Sequence, residues 1–334
     1  MSDNKIDFVI IWVDGGDIEW QKQRNIYSGK DPEDLADYRF RDWENLKYWF
    51  RGVEKFAPWV NNVYFVTCGH YPKWLNLNNP KLKFVKHEDY IPKEYLPTFS
   101  SHTIELNLHR IKGLSENFVY FNDDFFLTKP VSPDFFFKND LPCISAGLNA
   151  IGGGDCYSPM GHILLNNAHF INRHFTKEET IGKNITKWIN PKYSLKNNFR
   201  TLAFSKFYPE ISGFYNSHSA PSFKKSVIEE IWKVEPELFD STCSHRFRNR
   251  EDINQFVYSN YMACTGKFVP RATNVEKYFN ICSDNSKLVK AIKTNKYNIV
   301  CLNDTSRVED FEKSKKEIID AFECILPEKS SFEI

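Results

Sequence analysis

Short, continuous apolar runs recur along the chain, and each is bounded by turn residues. The clearest covers residues 6–13 and ends at the Asp-Gly-Gly-Asp sequence of residues 14–17. Runs of this length without alternation are typical of strands buried on both faces of a sheet. The same pattern predicts further strands at residues 63–67, 82–85, 118–121 and 299–302.

Between these runs the apolar spacing becomes helical. Within residues 42–56 apolar side chains recur every three or four positions, and Pro58 closes the segment. A second helix is predicted from a cap at Ser100 or Ser101 to Gly113. Alternating strands and helices predict an α/β fold, a mostly parallel, Rossmann-like sheet flanked by helices. Further helices are predicted at residues 223–234, at residues 253–264 and near the C-terminus.

Composition narrows the class of protein. The 334 residues carry 44 basic and 43 acidic side chains, and this balance gives no global attraction to nucleic acid. An apolar share of 41% excludes an intrinsically disordered chain. No apolar run approaches the roughly 18 residues of a membrane span, and the N-terminus lacks a signal-peptide pattern, so we expect a cytoplasmic protein. Eight widely spaced cysteines favour free, mostly buried thiols.

Several predicted strands end in acidic or amide residues. Asp14 follows the first strand, Asn122, Asp123 and Asp124 follow a later one, and Asp304 follows the last. Ligands of open α/β sheets bind beyond the carboxyl ends of the strands. We therefore expect these three ends to form one site.

The residue types at these ends suit phosphate chemistry. Adjacent carboxylates such as Asp123 and Asp124 favour Mg²⁺ or Mn²⁺, which bind one or two carboxylates together with phosphate oxygens, although a solvated turn with an Asx cap also explains them. Gly15 and Gly16 allow backbone amides to approach a phosphate, and a plain turn explains them too. Their spacing matches neither a dinucleotide fingerprint nor a P-loop.

Two later segments carry candidate chemistry. His218 lies in a polar loop, where an imidazole either acts as a general base or simply faces solvent. Three arginines between residues 246 and 250 precede a predicted helix, which is a natural place to bind a pyrophosphate. The acidic residues that follow offer these arginines intramolecular partners, so a solvated basic loop is the alternative.

Together these segments resemble the Stealth family in an ordered series of blocks. Residues 6–15 and 39–124 are similar to its first two conserved regions, through the Arg-Phe-Arg-Asp, Leu-Pro-Thr-Phe-Ser-Ser and Asn-Asp-Asp sequences. Residues 218–252 resemble the third conserved region of the family, and residues 301–304 resemble the fourth. The resemblance spans residues 6–304.

The family includes bacterial capsular polysaccharide phosphotransferases and the catalytic subunit of the animal N-acetylglucosamine-1-phosphotransferase. The resemblance implies a glycosyltransferase-A-like sheet and transfer of a sugar 1-phosphate from a nucleotide sugar, commonly UDP-N-acetylglucosamine, to an acceptor sugar hydroxyl. That reaction makes a phosphodiester in capsular polysaccharide and releases UMP. The alternatives are a metal-dependent glycosyltransferase that releases UDP and a non-catalytic sugar-binding module.

The resemblance also implies roles for individual residues. We expect Asp123, His218 and Arg248 to be catalytic, with His218 as the general base and Arg248 as a clamp on the β-phosphate. Asp123 and Asp304 are expected to hold Mg²⁺ or Mn²⁺. The expected substrate-binding residues are Asp14, Gly15, Asp17, Arg39, Glu105, Arg110, Asn122 and Asp252.

One departure from the family pattern concerns the loop after His218. Ser219-Ala220-Pro221 stands where the family has a Met-Pro type of sequence. If the loop geometry differs, His218 orients the acceptor instead of taking its proton.

The sequence pattern and the resemblance together divide the chain into four parts, and the loss of a clear period between residues 148 and 215 marks the insertion. Residues 1–147 are the expected nucleotide-sugar-binding half, 148–215 an inserted lid or acceptor subdomain, 216–304 the second catalytic half and 305–334 a C-terminal helix. The expected partners are the nucleotide-sugar donor and a growing glycan-phosphate acceptor, with lipid linkage left open, and not nucleic acid. Lysines in the last 50 residues either contact the inner membrane peripherally or form a solvated helix face.

Overall fold

A computed structural model describes residues 5–28, 41–152 and 159–334. Its strands are β1 (Ile6–Ile11), β2 (Val63–Thr67), β3 (Leu82–Lys86), β4 (Asn117–Phe121), β5 (Phe125–Leu127), β6 (Phe137–Lys138), β7 (Leu141–Ile144), β8 (Ser222–Lys224), β9 (Val269–Pro270), β10 (Glu276–Asn280) and β11 (Ile299–Asn303). Its α-helices are α1 (Ile18–Tyr27), α2 (Leu46–Phe56), α3 (Ser101–Leu106), α4 (Pro133–Phe136), α5 (Met160–His174), α6 (Ile185–Trp188), α7 (Leu195–Phe207), α8 (Lys225–Val234), α9 (Pro236–Ser244), α10 (Phe256–Cys264), α11 (Ser286–Lys293) and α12 (Phe311–Ile325).

The central sheet has the strand order β3-β2-β1-β4-β8. Its first four strands are parallel, and β8 runs antiparallel to β4. In register, Phe8 of β1 lies between Val63 of β2 and Val119 of β4. The predicted α/β class with a mostly parallel sheet is confirmed, as are all five predicted strands.

Both faces of this sheet are covered, which explains the continuous apolar runs. Phe8, Phe65 and Phe121 belong to a first core shared with α2, α11 and α12. Val9 and Tyr120, next to them in the strands, belong to a second core shared with α3, α5, α8 and α10. Because successive strand side chains point to opposite faces, no position in β1, β2 or β4 is left for a solvent-facing polar residue.

A smaller sheet joins the last strand to the central one. Its order is β10-β11-β5, and β5 follows β4 after a turn of three residues. The amide of Leu302 donates to the carbonyl of Asp124 over 2.9 Å. This bond places the carboxyl end of β11 against the turn that follows β4.

Three predicted segments differ from the structure in detail. The helix expected at residues 223–234 starts only at Lys225, because the residues before it form β8. The helix after Ser100 is short and continues as the 3-10 turn Leu108–Arg110. The insertion at residues 148–215 is largely helical where it is described, and its side chains Phe170, Trp188 and Phe214 enter the second core. Its role as a lid or acceptor subdomain stays a prediction.

Within the described ranges, no helix is both long enough and apolar enough to cross a lipid bilayer. The seven cysteines placed there are all free, and four of them are buried. Cys156 lies outside the described residues. The expectation of free, mostly buried thiols is confirmed for those seven.

Candidate active site

Two strand ends with predicted functional residues are adjacent in the central sheet. Since β1 and β4 are parallel neighbours, Asp14 and Asn122 follow them at the same edge. The end of β11, followed by Asp304, reaches this edge through the contact of Leu302 with Asp124. The expected convergence of the three strand ends is therefore present in the structure.

The two carboxylates after β4 have different surroundings. The thiol of Cys301 on β11 lies 3.2 Å from Oδ2 of Asp124 and donates to it. The other oxygen of Asp124, Oδ1, is buried and accepts no hydrogen bond from the described residues. Asp123 is exposed, although the packing around its carboxylate still withdraws it from bulk water.

Desolvation and like charge keep these carboxylates protonated to a higher pH than usual. Desolvation, reinforced by the charge of Asp42, raises the pKa of Asp123 to about 6. Desolvation and the charge of Asp123 raise the pKa of Asp124 to about 7. A cation bound here would relieve both effects.

Asp304 is held by residues of the segment before α2. Arg41 donates to it from Nε and Nη2 over 3.0 and 2.7 Å, and Trp43 donates from Nε1 over 2.9 Å. Desolvation raises the pKa of Asp304, and Arg41 opposes that rise. In the described part of the chain, no group of three or more His, Cys, Asp or Glu side chains is arranged to hold a metal. The metal-binding role of Asp304 stays a prediction.

Arg248 connects to the end of β4 through a chain of polar contacts. Its Nη2 donates to Oγ of Ser101, the first residue of α3, over 2.9 Å. One turn later on α3, the buried Glu105 accepts from the hydroxyl of Tyr120 over 3.0 Å. That hydroxyl also contacts Oδ1 of Asn122. Contacts through α3 and β4 thus link the arginine loop to the Asn-Asp-Asp turn, and their joint role in one site stays a prediction.

Glu105 is the buried charge beneath this arginine. Desolvation raises its pKa to about 7, and the positive charge of Arg248 is the largest effect opposing that rise. Loss of the proton from Glu105 therefore strengthens its attraction to Arg248.

Asp252 supports the loop that carries Arg248. It is fully buried, and its Oδ1 accepts from Nδ1 of His245 over 2.7 Å. Its Oδ2 accepts from Nδ1 of His102 on α3 over 3.1 Å and from the amide of Asn249 over 2.8 Å. With both oxygens engaged inside the protein, Asp252 lies beneath the loop. Its expected contact with substrate stays a prediction.

His218 reaches the same region from the loop before β8. Its ring centroid lies 4.7 Å from that of Tyr278 and 6.1 Å from that of Phe256. Desolvation lowers the pKa of His218, although the residue has an exposed surface. Tyr278 pairs in register with Cys301, the residue that contacts Asp124. Two side chains therefore separate His218 from the acidic turn.

The loop after β1 is stabilised by its own carboxylates. Asp17 caps α1 by accepting from the amides of Glu19 and Trp20, and this last bond is the largest cause of its lowered pKa. His70 accepts from the amide of Asp14 at Nε2 over 2.8 Å, so its proton is on Nδ1, which donates to Asp17 over 3.1 Å. Gly15 lies between these contacts, and its carbonyl accepts from the side-chain amide of Gln21.

The remaining expected residues lie elsewhere. Arg110 is at the far end of the helical segment that Ser101 begins, and its guanidinium stacks on Trp232 at 4.7 Å. Arg39 lies outside the described residues. Sequence reasoning did not assign site roles to Ser101, Tyr120, Tyr278, Arg41 and His70. The sequence did point to Arg41 and Ser101, because they belong to the Arg-Phe-Arg-Asp and Leu-Pro-Thr-Phe-Ser-Ser blocks that resemble the family.

Comparison with known proteins identifies the family. The family model described as Stealth protein CR2, conserved region 2, matches residues 39–143, and that of conserved region 1 matches residues 4–32. The capsular polysaccharide phosphotransferase WcwK of Streptococcus pneumoniae is 41% identical over 338 residues, covering 98% of each chain. The chain belongs to the Stealth family.

Other relatives are similar over the same length. The receptor polysaccharide phosphotransferase WefC of Streptococcus oralis is 38% identical, covering 99% of this chain and 100% of the relative. The exopolysaccharide phosphotransferase cps2G of Lactiplantibacillus plantarum is 39% identical, covering 98% and 96%. These relatives support the expectation that this Stealth chain is an enzyme of sugar-phosphate transfer. Among solved structures, an active-site mutant of LgtC is 12% identical with a TM-score of 0.40, covering 94% of this chain and 95% of that one.

Proposed function

We propose that this Stealth enzyme transfers a sugar 1-phosphate, with N-acetylglucosamine 1-phosphate from UDP-N-acetylglucosamine as the first choice, to a hydroxyl of a growing capsular glycan. The acceptor oxygen forms a bond to the β-phosphorus, and the bond from that phosphorus to the bridging oxygen breaks. UMP leaves with the bridging oxygen. The products are a phosphodiester, UMP and one proton, which passes from the acceptor hydroxyl to His218.

The observation that carries this proposal is the meeting of three distant segments. Arg248 connects to Asn122 through Ser101, Glu105 and Tyr120. On the other side, His218 packs on Tyr278, next to the strand that contacts Asp124. A diphosphate at this edge would have a cation, a base and two carboxylates around it, the set that phosphoryl transfer requires.

Each side chain suits its role. Arg248 presents a guanidinium that can bind two oxygens of the β-phosphate and stabilise the charge that develops on it. The lowered pKa of His218 keeps its ring neutral near pH 7, so that it can accept the acceptor proton. The loop of Asp14, Gly15 and Asp17 follows β1 at the same edge and is the proposed binding site of the nucleotide.

The acidic turn fits a divalent cation. Asp124 has a buried oxygen without a hydrogen bond from the described residues, and Asp123, the residue before it, is exposed as a whole while its carboxylate is partly desolvated. Mg²⁺ needs no more than one or two protein carboxylates when phosphate and water complete its shell. Asp123 and Asp124 are the residues that would hold it, with Asp304 beside them. Bound there, Mg²⁺ would neutralise charge on the diphosphate.

The test is the identity of the released nucleotide. Purified enzyme is incubated with Mg²⁺, a panel of nucleotide sugars and capsular oligosaccharides, and the nucleotide is identified by mass spectrometry. We expect UMP, and we expect Asp123→Asn to lower kcat about 100-fold or more with no change in the unfolding temperature. Asp320→Asn, at an exposed carboxylate on α12, is the matched control. UDP as the product would replace this proposal with ordinary glycosyl transfer.

The cellular setting remains a prediction. A cytoplasmic location, a lipid-linked acceptor and membrane contact by the lysines of α11 and α12 are expectations for vesicle-binding and fractionation experiments.

A further inference from the structure

Helix α7 has its polar side chains toward the protein and its apolar side chains toward the outside. Its buried residues are Asn197 and Thr201. Asn197 donates from Nδ2 to the carbonyl of Ala146 over 3.0 Å, and Oγ1 of Thr201 accepts from the amide of Leu148 over 3.1 Å. A surface helix normally has the opposite arrangement, with its apolar stripe toward the core. The outer side of α7 is therefore suited to contact with an apolar partner.

The outward side chains of α7 form a stripe along the helix. Leu195, Phe199 and Leu202 follow the spacing of neighbours on one helix face. Leu195 is 87% exposed, Phe199 75% and Phe207, the last residue of the helix, 78%. Tyr208, the next residue, is also exposed. Single exposed apolar residues are ordinary, whereas a set of this size marks a binding surface. We call these five residues the α7 face.

The segment around the α7 face carries positive charge. Residues 180–209 contain six basic and no acidic side chains, although the chain as a whole is nearly neutral. Lys196 and Lys206 are exposed on α7 itself, and Lys192 is exposed just before it. In the ranges that the structure describes, none of the six forms an ion pair with a carboxylate. An apolar stripe with a basic border is complementary to anionic lipid headgroups.

This charge favours a membrane over a second copy of the chain. In a two-fold dimer the same patch meets itself, so the lysines of one copy would face those of the other. Like charges without acidic partners oppose such an interface, whereas an anionic bilayer offers phosphate groups at its surface and apolar chains beneath them. With 13 residues, α7 is roughly 20 Å long and too short to cross a bilayer core of about 30 Å, so it would lie in the plane of the bilayer.

We propose that the α7 face binds the surface of a membrane that contains anionic lipids. The apolar side chains of the face enter the bilayer below the headgroups, and Lys196 and Lys206 contact lipid phosphates. Phe204 packs α7 against the second core, whereas α11 and α12 pack in the first core, on the other side of the central sheet. The contact is therefore distinct from one made by the lysines of α11 and α12.

The inner side of α7 contacts the loop before His218. The guanidinium of Arg200 lies 4.9 Å from the ring centroid of Tyr215, and its Nε donates to the carbonyl of Leu148 over 2.8 Å. Tyr215 precedes His218 in the same loop. A membrane at the α7 face thus lies on the outer side of the helix that supports this loop. Membrane binding itself needs no turnover, so it is independent of the proposed reaction.

The test is co-sedimentation of the full chain with lipid vesicles. Vesicles of phosphatidylcholine with about 30 mol% phosphatidylglycerol are compared with vesicles of phosphatidylcholine alone. We expect the wild type to bind the anionic vesicles, and to bind pure phosphatidylcholine at least about tenfold more weakly. Added salt should weaken binding to the anionic vesicles, because it screens the attraction between lysines and headgroups.

The deciding variant is Phe199→Gln with Phe207→Gln. Both rings are exposed, so the unfolding temperature should stay that of the wild type. The affinity for anionic vesicles should fall about 100-fold, or about tenfold for each ring that no longer enters the bilayer. The matched control is Ile26→Gln on α1, because Ile26 is as exposed as Phe207 and lies outside the α7 face. It should keep the affinity of the wild type.

Charge reversal tests where the contact lies. Lys196→Glu with Lys206→Glu should lower the affinity for anionic vesicles at least about tenfold. Lys287→Glu with Lys293→Glu makes the same change in net charge at exposed positions of α11. Because these lysines lie outside the proposed contact, this second pair should change the affinity by less than about threefold.

Several results would overturn the proposal. If the wild type does not bind anionic vesicles, a protein with an apolar surface is left as the occupant of the α7 face. Equal binding by the wild type and the double glutamine variant, or a larger effect of the α11 pair, would locate the membrane contact elsewhere. A wild-type dimer that the two glutamines convert to a monomer, measured by light scattering, would assign the α7 face to a second copy of the chain.

Discussion

At the scale of single residues, His218 is surrounded so as to favour a neutral ring. Tyr278 and Phe256 pack beside it, and desolvation lowers its pKa. The protonated form therefore accumulates only below the ordinary histidine pKa of about 6.5. A base with this property is in its active form at neutral pH and loses activity as the pH falls.

The corresponding prediction concerns the pH profile of kcat/KM. For the wild type with saturating Mg²⁺, we expect a plateau above pH ~7 and a decline below pH ~6.5 as His218 is protonated. Saturating metal matters because Asp123 and Asp124, with pKa values of about 6 and 7, titrate nearby and the cation favours their ionised forms. Rates are measured by UMP release.

His218→Gln tests the assignment. We expect kcat to fall by about 10²-fold or more and the acidic limb due to the imidazole to vanish. A variant that keeps the limb and loses less than about tenfold in rate would instead show that His218 orients the acceptor, the role suggested by the Ser-Ala-Pro sequence after it. Asn78→Leu, at an exposed position, is the control variant and should keep the kcat and the pH profile of the wild type.

At the scale of elements, the loop that carries Arg248 depends on one buried carboxylate. Asp252 accepts hydrogen bonds from His245, His102 and Asn249, and so ties both ends of residues 245–252 to α3. The loop contains no regular secondary structure between His245 and Asn254. Its shape is therefore set by these side-chain bonds.

Asp252→Asn is expected to disturb this loop. The amide carries only one acceptor oxygen and places its NH₂ against donors, so the free energy of unfolding falls by about 3 kcal/mol in a urea titration. Arg248 shifts with the loop, and the KM for the nucleotide sugar rises while folded protein remains. Asp320→Asn, at an exposed carboxylate, is expected to change stability by less than about 0.5 kcal/mol. An Asp252→Asn enzyme with normal stability and donor KM would show that these bonds do not position Arg248.

Elements were predictable where the sequence pattern reflects burial. β1, β2 and β4 carry apolar residues at nearly every position because both sheet faces are covered. β8 could not be predicted, because three residues directly before a helix are too few to show a hydrophobic period of their own. The sequence shows acidic residues directly after β1, β4 and β11, and their place after strands predicts a site there, which stays a prediction. The sequence does not point to Tyr278 and His70, because their contacts depend on how distant elements cross.

At the scale of the whole molecule, the end of the chain is part of the first core. Arg51 on α2 is 7% exposed and pairs with Glu333 through Nε–Oε1 and Nη2–Oε2 bonds of 2.9 and 3.0 Å. It also donates to the carbonyl of Leu326 over 2.9 Å, just after α12. Phe332, one residue before Glu333, is buried in the core. The C-terminal residues thus hold α12 against α2.

Arg51→Met should therefore destabilise the fold as a whole. It leaves the buried Glu333 carboxylate without its partner, for which we expect a loss of about 3–5 kcal/mol in the free energy of unfolding. The double variant Arg51→Met with Glu333→Leu should recover part of that loss, because the uncompensated charge is removed as well.

Lys22→Ala, which breaks an exposed pair with Glu19, is the control and should lower the free energy of unfolding by less than about 1 kcal/mol. Urea titrations of these variants give the free energies. If Arg51→Met and the wild type have the same free energy of unfolding, the tail contributes nothing to the stability of the core. The kcat of the folded fraction should be unchanged, since the pair joins α2 to the C-terminus while the proposed chemistry lies beyond the carboxyl ends of β1 and β4.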